Sequence, residues 1–360
     1  MERNTHSEEG PFPGELGPET GVSPEQPGRR RRVPAPVLFV GGTGRSGTHI
    51  VARLVAKNRH YSLIPVECRF HTDEDGFPGL LAGRVSKEQF LRRLRGYWWK
   101  GFQTDRFRGL HKVVPQERFE RAVEVFDERF DSDPEGACRR LFFDLLQDVR
   151  RKARAKTTPG IVEQSTDNVA QAPTLLRLFP EAKFIHVVRD GRDASASRVS
   201  QRRWLVYPRT RRQGLEWWEQ RLRRVDAGAR EIPEEKLFEL ELGELLVGGR
   251  ECRRQIRRLA RFIGIRNRKR MMRFMRKRMT PRTANEERWR EGLSERRQDQ
   301  IDAAYRQVVD RMEADGVSSA TLLRQAYERP DEREAPAREA AAEGIGAEGA
   351  AATADEPSPR

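Results

Sequence analysis

Apolar residues in this chain fall into short continuous runs, and between the runs they recur at helical spacing. Residues 37–40 (VLFV) form the first run; a turn with four glycines follows, and Ile50, Val51, Leu54 and Val55 then repeat at the helical period. That order reads as strand, loop, amphipathic helix. It recurs at Lys183–Val188 (KFIHVV), which ends in a turn at 189–192 before a helix that Asp193 is suited to cap. Residues 161–164 read as a third strand and 172–179 as a helix closed by Pro180. Segments 86–95, 137–152, 215–225, 249–263 and 294–312 show helical periodicity with Arg-rich outer faces. Strands alternating with helices predict an α/β chain folded as three layers, α/β/α, around a central mostly parallel sheet, with ligands gathered at the carboxyl ends of the strands.

Composition divides the chain into three. Of 360 residues, 36% are hydrophobic and 35% charged, polar enough that part of the chain is expected to lie outside any core. Residues 1–32 are expected to form a disordered arm ending in the basic hinge 29–32, residues 329–360 a disordered Ala/Glu-rich tail, and residues 33–328 the folded domain. The net charge is +15, and because 1–28 carry −5 and 329–360 carry −4, the body between them carries +24. A body so basic should attract anions: nucleic acid, an anionic membrane face or phosphate-bearing small molecules. The scattered Cys68, Cys138 and Cys252 provide neither a disulfide framework nor the spacing of a zinc site. No run approaches the roughly 18 apolar residues of a spanning helix, and the acidic N-terminus has no apolar leader. These features predict a cytoplasmic protein with no integral membrane segment and no metal.

The first turn reads Gly41-Gly42-Thr43-Gly44-Arg45-Ser46-Gly47-Thr48-His49. Glycines let successive N–H groups curl around a phosphate, and the start of the helix adds partial positive charge. Against the nucleotide-triphosphatase pattern G-x-x-x-x-G-K-[ST], Gly42 and Gly47 fit, but Thr48 takes the lysine's place and His49 that of the magnesium-binding hydroxyl. A nucleotide kinase thus loses its two chemical residues, while Arg45 supplies a cation and Ser46 and Thr48 supply hydroxyl donors. The second turn, Arg189-Asp190-Gly191-Arg192-Asp193, puts a guanidinium at a strand end, and Ser197 follows about one helical turn in. Both groups can converge on one phosphate.

The two motifs together resemble those of sulfotransferases that use 3′-phosphoadenosine 5′-phosphosulfate (PAPS). The family's 5′-phosphosulfate loop, [RK]-S-G-T-[ST], is matched at Arg45-Ser46-Gly47-Thr48, with His49 in the last position. Its 3′-phosphate pattern, R-D-P-R-D-x-x-x-S, is matched at Arg189, Asp190, Arg192, Asp193 and Ser197, with Gly191 in place of proline. Residues 163–168 (EQSTDN) are similar to a strand ending E-K-T-P-x-N, Gln164 standing for the lysine, and 285–290 (NEERWR) to a late segment that closes over the nucleotide in some members. The resemblance spans roughly residues 36–312. It implies a P-loop NTPase-like sulfotransferase fold, PAPS as co-substrate without a metal, and a donor site made by Gly44, Arg45, Ser46, Gly47, Thr48, His49, Arg189 and Ser197. His49 is expected to contribute its backbone N–H rather than its side chain.

Sulfuryl transfer is an in-line displacement that needs a cation at the leaving oxygen and a base at the acceptor. The resemblance implies Arg45 for the first role. It implies Glu67 for the second, since some members, notably the tyrosylprotein and certain carbohydrate enzymes, carry a glutamate at about this distance beyond the loop. Apolar neighbours would raise the pKa of Glu67 toward the operating pH. His71 is its nearest rival, with Glu163 and Asp167 behind, whereas His186 reads as a core residue. Tyr97, Trp98, Trp99, Trp217 and Trp218 are either acceptor platforms or core. The acceptor stays open among carbohydrate, glycolipid and small hydroxylated metabolite, and nucleic acid is not the expected partner. The competing reading is a basic nucleic-acid or polyanion-binding protein with a catalytically inert nucleotide-binding core, motivated by 29–32 and the Arg-rich 266–278. Its binding should weaken steeply with salt and ignore a 3′-phosphate.

Overall fold

A computed structural model describes residues 36–101, 109–146, 160–201, 207–246, 249–279 and 287–328. The expected arm (1–32) and tail (329–360), with the basic hinge 29–32, lie outside the described residues. Strand β1 (Val37–Gly42) leads through the Gly-rich turn into α1 (Thr48–Val55) and then β2 (Tyr61–Leu63). Helices α2 (Phe77–Leu81), α3 (Lys87–Arg93), α4 (Gln116–Phe130) and α5 (Pro134–Leu146) precede β3 (Gly160–Glu163). After it come α6 (Ala172–Leu178), β4 (Lys183–Val188), α7 (Gly191–Val199), α8 (Arg211–Ala229) and β5 (Leu237–Glu241). The remaining elements are α9 (Leu242–Leu246), α10 (Gly249–Phe262), α11 (Lys269–Arg278), α12 (Glu295–Ala314) and α13 (Ser318–Glu328).

The sheet has the order β2-β3-β1-β4-β5 and all its pairings are parallel. Alternate residues of each strand enter opposite cores. Val37, Phe39, Ile161 and Phe184 join Phe70, Phe142 and Phe179 on one face, and Leu38, Val40, Val162, Ile185 and Val187 join Val51, Leu54, Ile256 and Leu259 on the other. With both faces covered, neighbouring positions are apolar alike, which is why these strands stand out as continuous runs. Strand β1 pairs with β3 on one side and β4 on the other. The crevice beyond its carboxyl end is therefore the switch point of the sheet, where ligands of such folds bind. The turns after β1 and β4 leave adjacent strands side by side, and these are the two turns expected to bind phosphate.

Helix α7 departs from the expectation. Asp190, not Asp193, is its N-cap, accepting from the Arg192 N–H at 2.7 Å. Asp193 lies in the first turn instead, and Ser197 stands about two turns into the helix rather than one. The segment expected to be helical over 137–152 begins earlier, at Pro134, and is described only to Leu146. Ser86 caps α3 with a full capping box, and the helix runs on as a π-helical turn, Leu94–Trp98.

Gly191 opens α7, and a Cβ there would lie 2.5 Å from the ring of Trp218, whose indole is buried. The indole fills the space that a proline ring would take. Gly191→Ala is expected to destabilise the fold by about 1–3 kcal/mol through overpacking, read as a lower midpoint in chemical denaturation. An unchanged midpoint would show that the indole gives way freely.

Candidate active site

The loop between β1 and α1 holds Gly44, Arg45 and Gly47 at φ of 81°, 60° and 90°. Glycine adopts this left-handed region without penalty, whereas Arg45 is strained by roughly 1 kcal/mol or more. Backbone of this kind can turn successive N–H groups toward one centre, as an anion nest requires. Gly42 admits no side chain either, since a Cβ would lie 2.5 Å from Ser46 Oγ and 2.6 Å from the Val187 carbonyl. Ser46 Oγ is fully buried and has no hydrogen-bond partner among the described residues. Buried hydroxyls are normally paired, and a phosphate oxygen in the nest would satisfy this one, so the residues present fit a phosphate-bearing ligand.

The two turns meet. Arg45 Nε donates to Ser197 Oγ at 2.9 Å, and an Arg189 Nη donates to the Arg45 carbonyl at 2.8 Å. Ser197 is 5% exposed. Asp193, next to this junction, accepts the backbone N–H of Glu287 at 3.0 Å and of Trp289 at 3.2 Å. Burial and the nearby Asp190 push its pKa up to about 6, with Arg189 and the two N–H donors opposing. The late Arg-Trp segment is thus tied to the first turn of α7. Trp289 itself is buried, with the Arg192 guanidinium 4.8 Å from its ring centroid, so it is core, and Arg288 is the half-exposed neighbour. Residues 285 and 286 lie outside the described residues.

Glu67 follows β2, and the chain after it is pinned to the end of β3. The Cys68 N–H donates to Glu163 Oε1 at 3.3 Å and the Arg69 N–H to Ser165 Oγ at 3.2 Å. Arg69, itself at φ 60°, pairs with Asp73 at 3.0 Å and donates to the Tyr97 hydroxyl at 2.7 Å, so its ion-pair partner is not Glu67. Among the described residues Glu67 has no hydrogen-bond or ion-pair partner. Its side chain reaches water, yet the surrounding protein pushes its pKa up to about 7, Arg69 opposing and Glu163, Asp167 and Asp73 adding. Water contact argues for a smaller rise than full enclosure would give, and the upward direction is what the chemistry needs.

The rival bases are engaged elsewhere. Glu163 is buried and accepts from Ser165 N and Oγ at 2.8 Å each, Asn168 Nδ2 at 2.7 Å and His71 Nε2 at 3.0 Å. Burial alone would raise its pKa, but His71 and these donors hold it well below the usual carboxylate range. His71 is fully buried among Phe39, Phe70 and Phe142. Asp167 is ion-paired with Arg221. His186, as expected of a core histidine, is buried, with Nδ1 3.0 Å from Glu239.

Of the aromatic candidates, Trp98 and Trp218 are core, and Trp99 packs on Phe119 with centroids 4.0 Å apart. Trp217 is half-buried beside Gly44, with the Arg198 guanidinium 4.9 Å from its ring. Arg198 and Arg221 are site neighbours that the motifs do not announce. Arg221 Nε reaches the Thr43 carbonyl at 3.4 Å from a helix far along the chain, so no local pattern could have found it. Arg198 Nε is buried without a hydrogen-bond partner among the described residues, and burial together with the Arg221 charge lowers its pKa; it immediately follows Ser197 in sequence. No group of three or more His, Cys, Asp or Glu among the described residues could hold a metal, and no helix among them is long and apolar enough to cross a membrane.

No curated protein matches the sequence. Similar solved structures include the sulfotransferase domain of the Synechococcus PCC 7002 olefin synthase, at 15% identity and TM-score 0.44 over 78% of this chain and 95% of that one. A sulfotransferase from Alicyclobacillus acidocaldarius has 14% identity and TM-score 0.40 over 82% of this chain and 100% of that one. Sulfotransferase STF9 from Mycobacterium avium has 16% identity and TM-score 0.40 over 77% of each chain. Overlaps this loose carry no argument by themselves. A family model described as the sulfotransferase family, however, matches residues 36–269, which takes in the loop, Glu67 and the turn after β4. Since that match covers more than half of the chain, the protein belongs to the sulfotransferase family.

Proposed function

We propose that the protein transfers a sulfuryl group from PAPS to a hydroxyl, or an amine, of a carbohydrate, glycolipid or small metabolite. The observation that supports this reading most is the junction of two anion sites on the adjacent strands β1 and β4, joined through Arg45, Ser197 and Arg189. A nucleotide with phosphates on both its 3′ and 5′ positions can use both sites. A nucleoside triphosphate, whose phosphates form one chain, has no need of the second.

When bound, PAPS supplies the activated sulfuryl group. The loop N–H groups and the orphaned Ser46 hydroxyl hold the 5′ end, and Arg189 and Ser197 hold the 3′-phosphate. Arg45 offers positive charge where the leaving oxygen becomes negative. Glu67, unpaired and open to water, takes the acceptor proton. The test is turnover of PAPS with a panel of hydroxylated acceptors, read as release of adenosine 3′,5′-bisphosphate. Tight nucleotide binding without turnover on any acceptor would leave an inert core.

Ser197→Ala or Arg189→Ala should raise the KM for PAPS by about tenfold or more, since a hydrogen bond to a charged group contributes roughly 1.5–3 kcal/mol, with a smaller fall in kcat. Steady-state kinetics at varied PAPS checks this; a fall in kcat at unchanged KM would remove both residues from the 3′-phosphate site. The competing polyanion reading is favoured by one feature: residues 249–279, which include α10 and α11, contain 14 Lys and Arg against the single acid Glu251. All 14 are exposed.

A further inference from the structure

His49 and Gln164 are two of the positions at which the donor-side motifs depart from the family pattern, and they are bonded to each other. His49 Nδ1 lies 2.7 Å from Gln164 Oε1, and Gln164 Nε2 donates to the Ile64 carbonyl at 3.0 Å. The second bond fixes the first. With its NH2 spent on a carbonyl, the Gln164 amide presents its oxygen to the imidazole, and an amide oxygen only accepts. Nδ1 therefore carries the hydrogen, and in the neutral ring the lone pair sits on Nε2. A proton added at Nε2 leaves the Gln164 bond intact.

The ring stands on the second residue of α1, where the loop ends, and its side chain is open to solvent. Gln164 follows β3 and Ile64 follows β2, so the pair lies at the carboxyl edge of the sheet, between the loop and the segment that carries Glu67. The groups that act on it are few. Burial lowers its pKa first, the Gln164 bond opposes, and Arg53, one turn along α1, lowers it further. Of the other elements packed on α1, β1 has no titratable side chain, β2 brings Tyr61, and the charged side chains of α11 are all Lys or Arg, while Glu163 at the end of β3 is turned into the core toward His71. No carboxylate is among the groups that shift His49. The imidazole is therefore mainly neutral at pH 7 in the free protein, and a phosphate arriving at the loop is the negative charge it lacks.

We propose that His49 takes up a proton at Nε2 when the donor nucleotide binds the loop, so that a neutral side chain becomes a cation facing the nucleotide's 5′ end. This rests on the reading that the loop binds PAPS. The proton comes from solvent and no covalent bond changes. Linkage sets the sign: the bound-state pKa is above the free-state pKa, so nucleotide affinity is greatest at low pH and falls as pH rises through the interval between the two, by up to tenfold per pH unit.

Calorimetric titration with adenosine 3′,5′-bisphosphate at pH 7, repeated in buffers of different ionisation enthalpy, reads this directly. The wild type is expected to take up a substantial fraction of one proton per nucleotide, and His49→Gln none. Gln164→Glu places a carboxylate against Nδ1–H and charges the ring beforehand, so uptake should fall while affinity is kept and becomes less pH-dependent around neutrality. A purely structural pair would not produce that split. Equal proton counts for wild type and His49→Gln overturn the proposal with the PAPS reading intact; absence of binding, or equal affinity for 5′-AMP, overturns both.

Discussion

Replacing Arg45 by alanine is expected to lower kcat by about 10²–10³-fold, the loss seen when one preorganised donor to a developing negative charge is removed. The side chain leaves a loop of left-handed residues and reaches Ser197 on α7 through Nε. It therefore stands between the two anion sites, and its contribution can be separated kinetically. A cation at the leaving oxygen acts on kcat, whereas a cation spent on the 3′-phosphate acts on KM for PAPS. The kcat effect should dominate, with the thermal midpoint near wild type because the strained φ of 60° is carried by alanine as by arginine. Near-normal kcat would remove Arg45 from the chemical step, and a defect confined to KM would assign it to the 3′-phosphate.

Glu67→Gln is expected to cut kcat by about 10²–10⁴-fold, the range for loss of a positioned general base, with nucleotide binding preserved. The pH profile supplies the sign. The base works when deprotonated, and its surroundings raise its pKa above the usual carboxylate range although the side chain reaches water, so the rise of activity with pH should be shifted upward from the value of about 4.3 for a free glutamate. Glutamine should abolish that limb. His71 and Glu163 are buried and bonded to one another, and Asp167 is paired with Arg221, so an unchanged kcat in Glu67→Gln would send the search for a base to the acceptor's own groups or to residues not yet implicated.

What could be read from sequence follows from where the physical cause is local. Strands β1, β3 and β4 were legible to within two residues because both faces are buried and the runs are unbroken. Strand β5 was not, since LFELE lies at the sheet edge and its two glutamates break the apolar run: Glu239 meets His186 on β4, and Glu241 accepts the N–H groups of Gly243 and Glu244 to start α9. The buried Phe119, Ala122, Val123 and Phe126 of α4 follow helical spacing, so that helix was readable although it was not among the expected elements. Each of the two turn motifs stands out in the sequence because its residues lie within one loop or turn. The contact between them, Arg45 to Ser197 across 152 positions, was not, nor was the bond between His49 and Gln164. The cap of α7 went wrong because RDGRD offers two aspartates, and the one nearer the strand closes the turn while the other is drawn away to Glu287 and Trp289.

The most direct test of the central claim, that the turns after β1 and β4 form one site for a 3′-phosphorylated nucleotide, is calorimetric titration with adenosine 3′,5′-bisphosphate beside 5′-AMP and ATP at two salt concentrations. Micromolar binding that requires the 3′-phosphate and survives moderate salt is expected. Weak binding that ignores the 3′-phosphate and vanishes as salt rises would contradict it and leave the cationic surface of residues 249–279 as the feature that matters.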